Sequence, residues 1–202
     1  MNTFENNDAV PAGPSPPNRT AGGAGDAFPA VPKADHPRPK TLLLGLGNDI
    51  LCDDAVGLKA AQQIRLQCDP AQVDVIECCE MGLSLLDHLV GYDRVVVVDA
   101  VQTCQAPPGF VHALESDDIK ILPRMSPHFF GIGEALVLGR QLGMAMPSQV
   151  KIFAIEVADP FTVATAMTPA MEQALPAIVA QIMAALREMI RASQGNMPPR
   201  EI

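Results

Sequence analysis

From residue 41 onward, continuous apolar runs alternate along the chain with segments whose apolar residues are spaced as in helices. The short runs are typical of strands buried on both faces of a sheet and occur at residues 41–47, 73–77, 94–100 and 151–157. A weaker run at residues 110–114 predicts a strand at an edge of the sheet or in antiparallel orientation. Helices are predicted between and after these runs, at residues 56–64, 83–89, 128–142 and 168–191.

This alternation predicts a three-layer α/β/α sandwich with a mostly parallel, twisted sheet, in one domain over residues 41–192. Pro, Ala, Gly and Asn dominate residues 1–40, which therefore contain too little apolar area to offset the entropy of ordering. We expect a disordered extension there, with a docking tail for a partner as the alternative. Residues 193–202 are expected to form a frayed tail.

Composition narrows the class of protein. The net charge of −9 and the pI near 4.8 argue against a nucleic-acid partner, because such binding depends on clustered Lys and Arg. The five cysteines contain no Cys-x-x-Cys pair, so reduced thiols are expected. The N-terminus lacks the pattern of a secretory signal, and we expect no apolar stretch long enough to span a bilayer. These features predict a soluble cytoplasmic protein without a membrane partner.

The turn after the first strand is glycine-rich but does not fit a nucleotide-binding motif. Gly45 and Gly47 match the start of Gly-x-Gly-x-x-Gly, yet Ile50 occupies the third glycine position, and no Gly-Lys-Ser/Thr of a P-loop follows. The simplest interpretation is that the glycines permit a tight turn, which Asn48 fixes with its side chain.

Three polar groups are predicted to meet at the carboxyl ends of the parallel strands. Asp53 and Asp54 follow the first strand, and we expect one to be the N-cap of the next helix while the other faces the crevice. Asp99 follows four consecutive valines, where an unpaired carboxylate would cost several kcal/mol, so it must be paired, capped, hydrated or metal-bound. His128 lies between a proline-set turn and a Gly-rich helix start. Together Asp54, Asp99 and His128 form a candidate ligand set for a divalent metal.

Ordinary structural roles remain open for each of these residues. Asp54 is a candidate N-cap, Asp99 a turn acceptor, and His128 a polar residue without a ligand. Glu77 and Glu80 follow the second strand at the same edge and are candidates for an additional acid or a substrate contact. Between them, Cys78 and Cys79 are interpreted as a packed thiol pair rather than as soft-metal ligands. No role is assigned to His36, His88 or His112.

The segments Gly-Leu-Gly-Asn-x-Ile-Leu-x-Asp-Asp-x-x-Gly, Val-Val-Asp-Ala-Val and Ser-Pro-His resemble, in order and spacing, those of hydrogenase maturation endopeptidases of the HybD/HycI type. The resemblance extends over about residues 41–192. It implies a twisted sheet between helices and the removal of a C-terminal extension from the large-subunit precursor of a nickel-iron hydrogenase after nickel insertion. It also implies nickel contacts at Asp54, Asp99 and His128, with the metal supplied by the substrate.

The chain departs from the family pattern after the second strand. Many members carry Asp-Gly-Gly-Thr there, whereas this chain has Glu77-Cys-Cys-Glu80, which puts the substrate-binding edge in doubt. Asn48, Glu77 and Glu80 are the candidate substrate contacts, and the general base is left open between Glu77, Glu80 and a carboxylate of the metal trio. Two alternatives compete with a protease: a non-proteolytic nickel-dependent chaperone or sensor, and a hydrolase similar to peptidyl-tRNA hydrolase, which the acidic charge disfavours.

Overall fold

The computed structural model of the protein describes residues 41–115 and 129–194. Within these residues, five strands and four α-helices follow one another along the chain. The strands are β1 (Thr41–Leu46), β2 (Val73–Cys78), β3 (Arg94–Val101), β4 (Val111–Glu115) and β5 (Gln149–Glu156). The helices are α1 (Val56–Arg65), α2 (Leu85–Leu89), α3 (Phe129–Gln141) and α4 (Pro169–Gln194), with 3-10 helices at Cys52–Ala55 and Gly82–Ser84.

The strands form one sheet in the order β2-β1-β3-β5-β4. Strands β2, β1, β3 and β5 are parallel to their neighbours, and β4 pairs antiparallel with β5 at the edge. The predicted fold class is therefore confirmed, including the antiparallel edge strand. The valine run forms the central strand β3, which is buried along its whole length.

The helices cover both faces of the sheet. Side chains alternate between the faces along a strand, so Val96 and Val98 pack with α1 and α4, whereas Val95 and Val97 pack with α2 and α3. The same alternation directs the side chain of Asp99 to the face covered by α2 and α3.

Close approach of two helices to the rest of the fold depends on glycine. At Gly57 in α1, a Cβ atom would lie 2.1 Å from the carbonyl oxygen of Leu46 and 2.5 Å from that of Val98, so α1 begins directly over the ends of β1 and β3. At Gly131 in α3, a Cβ atom would lie 2.2 Å from the Cα atom of Gly82. The sequence predicted an irregular helix because of its glycines, yet α3 is continuous and uses Gly131 for tight packing.

Helix α4 corrects one expectation from the sequence. Over Pro169–Ala192 it is long enough, and at a mean hydropathy of 1.2 apolar enough, to cross a membrane, and it is the one such helix in the described part of the chain. We expected no stretch of this kind. In the fold, α4 buries a stripe of residues against α1 and the sheet, including Met171, Leu175, Ile178, Ile182 and Leu186. It is therefore a core helix of this domain.

Predictions for the chain ends are outside what the structure tests. Residues 1–40 lie outside the described residues, as do residues 195–202. Helix α4 continues to Gln194, so regular structure extends just past the predicted domain end at residue 192.

Candidate functional site

Of the two adjacent aspartates after β1, Asp53 is a structural residue. Its side chain is 0% exposed, and its carboxylate accepts hydrogen bonds from the backbone N–H groups of Ala158 (3.1 Å), Asp159 (2.9 Å) and Thr168 (2.7 Å). The hydroxyl of Thr168 donates a fourth bond, at 3.0 Å. Asp53 therefore ties the loop after β1 to the loop after β5 and to the start of α4.

The prediction that an aspartate is the N-cap of the first helix is wrong. Leu51 precedes the 3-10 helix and Ala55 precedes α1, and neither N-cap position carries a side-chain cap bond. The physical reason is that the Asp53 carboxylate instead accepts hydrogen bonds from the N–H and the hydroxyl of Thr168, the residue before α4. The two aspartates do divide their roles, because Asp53 is fully buried and Asp54 is half-buried.

Asp54 and Asp99 lie at the same edge of the sheet. Asp54 is three residues before Gly57, whose backbone rests on the carbonyl oxygens of Leu46 and Val98, and Asp99 directly follows Val98 in β3. Asp99 is 0% exposed, and its Oδ1 atom accepts a hydrogen bond from the N–H of Ala100 at 2.9 Å. Both residues therefore lie near the carboxyl ends of the parallel strands.

The third predicted ligand, His128, lies outside the described residues. Helix α3 begins at the following residue, Phe129, and α3 packs on the sheet face toward which Asp99 points. The meeting of all three groups stays a prediction.

Two of the predicted substrate contacts have well-defined partners. The Asn48 side-chain oxygen accepts a hydrogen bond from the N–H of Ile50 at 3.2 Å, which confirms that Asn48 fixes the turn after β1. Glu77 forms an ion pair with Arg65 at 2.7 Å and accepts a hydrogen bond from Gln62, also at 2.7 Å. These contacts hold the Glu77 carboxylate against α1.

The two adjacent cysteines do not form the packed pair that the sequence indicated. Cys78 is buried and Cys79 is exposed, because successive side chains at the end of a strand point to opposite sides. Partial desolvation raises the pKa of the Cys79 thiol, and the negative charges of Asp49, Asp54 and Glu77 raise it further. Cys79 is therefore close enough to Asp54 to sense its charge.

Sequence reasoning missed a buried carboxylate at the end of β5. Glu156 is 1% exposed and accepts hydrogen bonds from the N–H of Thr103 at 3.1 Å and from the Thr103 hydroxyl. Its Oε1 atom also lies 3.1 Å from Nε2 of His112. The signal was present in the sequence, because Glu156 follows an apolar run in the same way as Asp99 does.

Taken together, the site is a rim of carboxylates at the carboxyl ends of β1, β3 and β5. The family of hydrogenase maturation proteases (HycI) matches residues 58–185 of the chain. The chain belongs to this family. The match includes Asp99 and His128 and begins after Asp54.

Individual hydrogenase maturation proteins agree with this assignment. The hydrogenase 2 maturation protease of Escherichia coli K12 is 25% identical over 152 residues, which cover 74% of this chain and 92% of that protein. The hydrogenase expression/formation protein HupD of Thiocapsa roseopersicina is 31% identical over 109 residues, covering 52% of this chain and 49% of HupD. The structure of the hydrogenase maturating endopeptidase HybD from E. coli superposes with a TM-score of 0.66, covering 74% of this chain and 93% of HybD at 25% identity.

The fold and the family together define the chemistry in broad terms. As a hydrogenase maturation protease, this chain is a peptidase that processes a hydrogenase precursor. The rim offers carboxylates that differ sharply in exposure, from the half-buried Asp54 to the fully buried Asp99.

Proposed function

We propose that this protease removes the C-terminal extension of a nickel-iron hydrogenase large-subunit precursor after nickel has been inserted. We further propose that Asp54, Asp99 and His128 contact that nickel, which arrives with the substrate. The observation that carries the proposal is the position of Asp99, which is fully buried near the carboxyl end of the central strand and on the same side of the sheet's rim as Asp54.

The donor set fits such a cargo. Two carboxylates at one sheet edge favour a divalent cation, and imidazole is a nitrogen ligand that suits nickel. A protease that offers only a few ligands leaves the metal attached to the groups that already hold it in the precursor. The protease would then recognise the nickel and cleave the precursor without removing the metal from it.

Within this site, we assign water activation to Asp54. A general base must reach both solvent and the scissile bond, and Asp54 is half-buried whereas Asp99 is buried more deeply. Glu77 is less suited, because Arg65 and Gln62 hold its carboxylate. On this assignment the enzyme is an aspartic-type endopeptidase whose substrate brings the metal. Asn48 is proposed to contact the extension peptide along the same rim.

The decisive experiment compares nickel-loaded and nickel-free precursor. The purified protease is mixed with each form, and mass spectrometry follows loss of the C-terminal extension. We expect cleavage of the loaded form alone. Equal cleavage of both forms would contradict recognition through nickel, and tight binding without cleavage would indicate a chaperone.

Three substitutions test the assignment of residues. Asp54→Asn, Asp99→Asn and His128→Ala are each expected to slow cleavage of loaded precursor by at least about 100-fold, the scale of losing an acid, a base or a key contact. Asp49→Asn removes an exposed carboxylate from the same loop as Asp54 and is the matched control, with activity retained. Circular dichroism spectra should be the same for all four variants. Full activity of the Asp99 variant would contradict the assignment.

A further inference from the structure

A second cluster of metal-ligating side chains lies at the end of edge strand β2. It consists of Cys78, the last residue of β2, together with Glu80 and His88. One ligand atom from each residue lies within 4.8 Å of the other two. The Glu80 carboxylate and Nε2 of His88 are 3.5 Å apart.

The local fold explains why these three residues converge. Cys78 packs with the core on the face that α2 covers, so its sulfur points toward that helix. The 3-10 helix Gly82–Ser84 turns the chain back, and buried Leu85 and Leu89 fix α2 against the sheet. His88, one residue before Leu89, is thereby held beside the end of β2, with 27% of its side chain exposed.

Sulfur, nitrogen and carboxylate oxygen are the ligand types that zinc accepts in proteins. For bonds of about 2.0–2.3 Å, ligand atoms around a tetrahedral zinc ion are about 3.3–3.8 Å apart. Closing the cluster around one ion therefore requires shifts of about 1 Å, which are small for the Glu80 side chain because it is 58% exposed.

We propose that Cys78, Glu80 and His88 form a binding site for a divalent transition-metal cation, with zinc as the best match and a solvent molecule in the fourth position. Burial raises the pKa of the Cys78 thiol, so the sulfur is protonated without a cation and loses its proton when the metal binds. The exposed thiol of Cys79 takes no part.

This site is separate from the one at Asp99. Cys78 pairs with Leu46 of β1, and β1 lies between β2 and β3 in the sheet. Two strand spacings place Cys78 roughly 10 Å from the Asp99 position. A cation bound by Cys78 is therefore not within coordination distance of the Asp99 carboxylate.

Cobalt(II) is the probe that tests the proposal, because only a thiolate ligand gives the intense sulfur-to-cobalt absorption in the near ultraviolet. The full-length reduced protein is titrated with cobalt(II), and zinc is then added to displace it. We expect one equivalent of cobalt to produce the thiolate band and zinc to abolish it. Asp99→Asn should give the same band, which separates this site from the proposed nickel contacts.

Paired variants identify the ligands. Cys78→Ser should abolish the band, whereas Cys79→Ser, which removes the neighbouring exposed thiol, should retain it. His88→Asn alters a partly exposed helix residue and should weaken cobalt binding by at least about tenfold while the circular dichroism spectrum stays unchanged. A missing band in the unmodified protein, a band that persists in Cys78→Ser, or unchanged affinity in His88→Asn would each overturn the proposal.

Discussion

Replacing Asp53 by alanine should destabilise this protein far more than replacing its neighbour Asp54. The Asp53 carboxylate is fully buried and accepts four hydrogen bonds, three from backbone N–H groups and one from the Thr168 hydroxyl. In Asp53→Ala, these donors lose their acceptor in a place with little access to water. Asp54 is half-buried, so solvent replaces much of what its removal takes away.

The magnitude follows from the number and kind of these bonds. Hydrogen bonds to a charged group contribute about 1.5–3 kcal/mol each, but bonds that share one carboxylate are not additive. Removing one partner from a buried charged network typically costs about 3–5 kcal/mol. We therefore expect Asp53→Ala to lower the free energy of unfolding by about 4 kcal/mol, against about 1 kcal/mol for Asp54→Ala.

Urea denaturation followed by circular dichroism measures both values. With a slope of about 2 kcal/mol per molar urea, a loss of 4 kcal/mol moves the midpoint down by about 2 M. Asp54→Ala is the matched control, since it deletes the same side chain one residue away. A midpoint for Asp53→Ala within about 0.5 M of the unmodified protein would refute the structural role of Asp53.

Three further predictions follow from described contacts. Burial and a hydrogen bond to Asp74 raise the pKa of Tyr92 to about 12. Tyr92 is the single tyrosine and the chain has no tryptophan, so phenolate absorbance measures the titration of this one group. The contribution of this raised pKa to stability is therefore complete below pH ~10 and disappears as the pH rises toward 12. Asp74→Asn should lower the midpoint of the spectrophotometric titration, and a midpoint near 10 in the folded unmodified protein would contradict the prediction. Gly57→Ala should lower the free energy of unfolding in urea by about 2 kcal/mol or more, because the added methyl group would clash with the carbonyl oxygens of two strands. An unchanged urea midpoint would show that α1 moves away at little cost. Glu156→Gln should lower the free energy of unfolding by about 1–3 kcal/mol in the same assay, because the buried Glu156 carboxylate accepts hydrogen bonds from Thr103. Equal stability of the variant and the unmodified protein would show that this contact has no structural role.

The sequence predicted the sheet well, because its strands carry a strong local signal. Four consecutive valines in β3 place apolar side chains on both faces of the strand, which is typical of a strand buried on both sides. The run that forms β4 is less continuously apolar, as is typical of a strand at the edge of a sheet. The continuity of α3 was not predicted, for a different reason. Glycine lowers helix propensity locally, but at Gly131 the contact with the Gly82 backbone, far away in sequence, decides its use.

The sequence predicted that Asp53 and Asp54 have different roles but not which of them is the structural residue. Asp53 and Asp54 are adjacent acids, and nothing local distinguishes them. Their difference comes from Thr168 and Ala158, which lie more than a hundred residues later in the chain. The buried Glu156 was not predicted although it follows an apolar run as Asp99 does, because that run includes Lys151 whereas four consecutive valines precede Asp99.

The contact between Asp53 and Thr168 also bears on how the protein is made. The loop after β1 leaves the ribosome before the amide groups that hold it, because those groups belong to segments more than a hundred residues later in the chain. A nascent chain that stops before Thr168 leaves the Asp53 carboxylate without two of its donors, and so its rim is unsupported. Cutting activity is thus expected only once synthesis has passed Thr168, so a shorter nascent chain lacks a supported site.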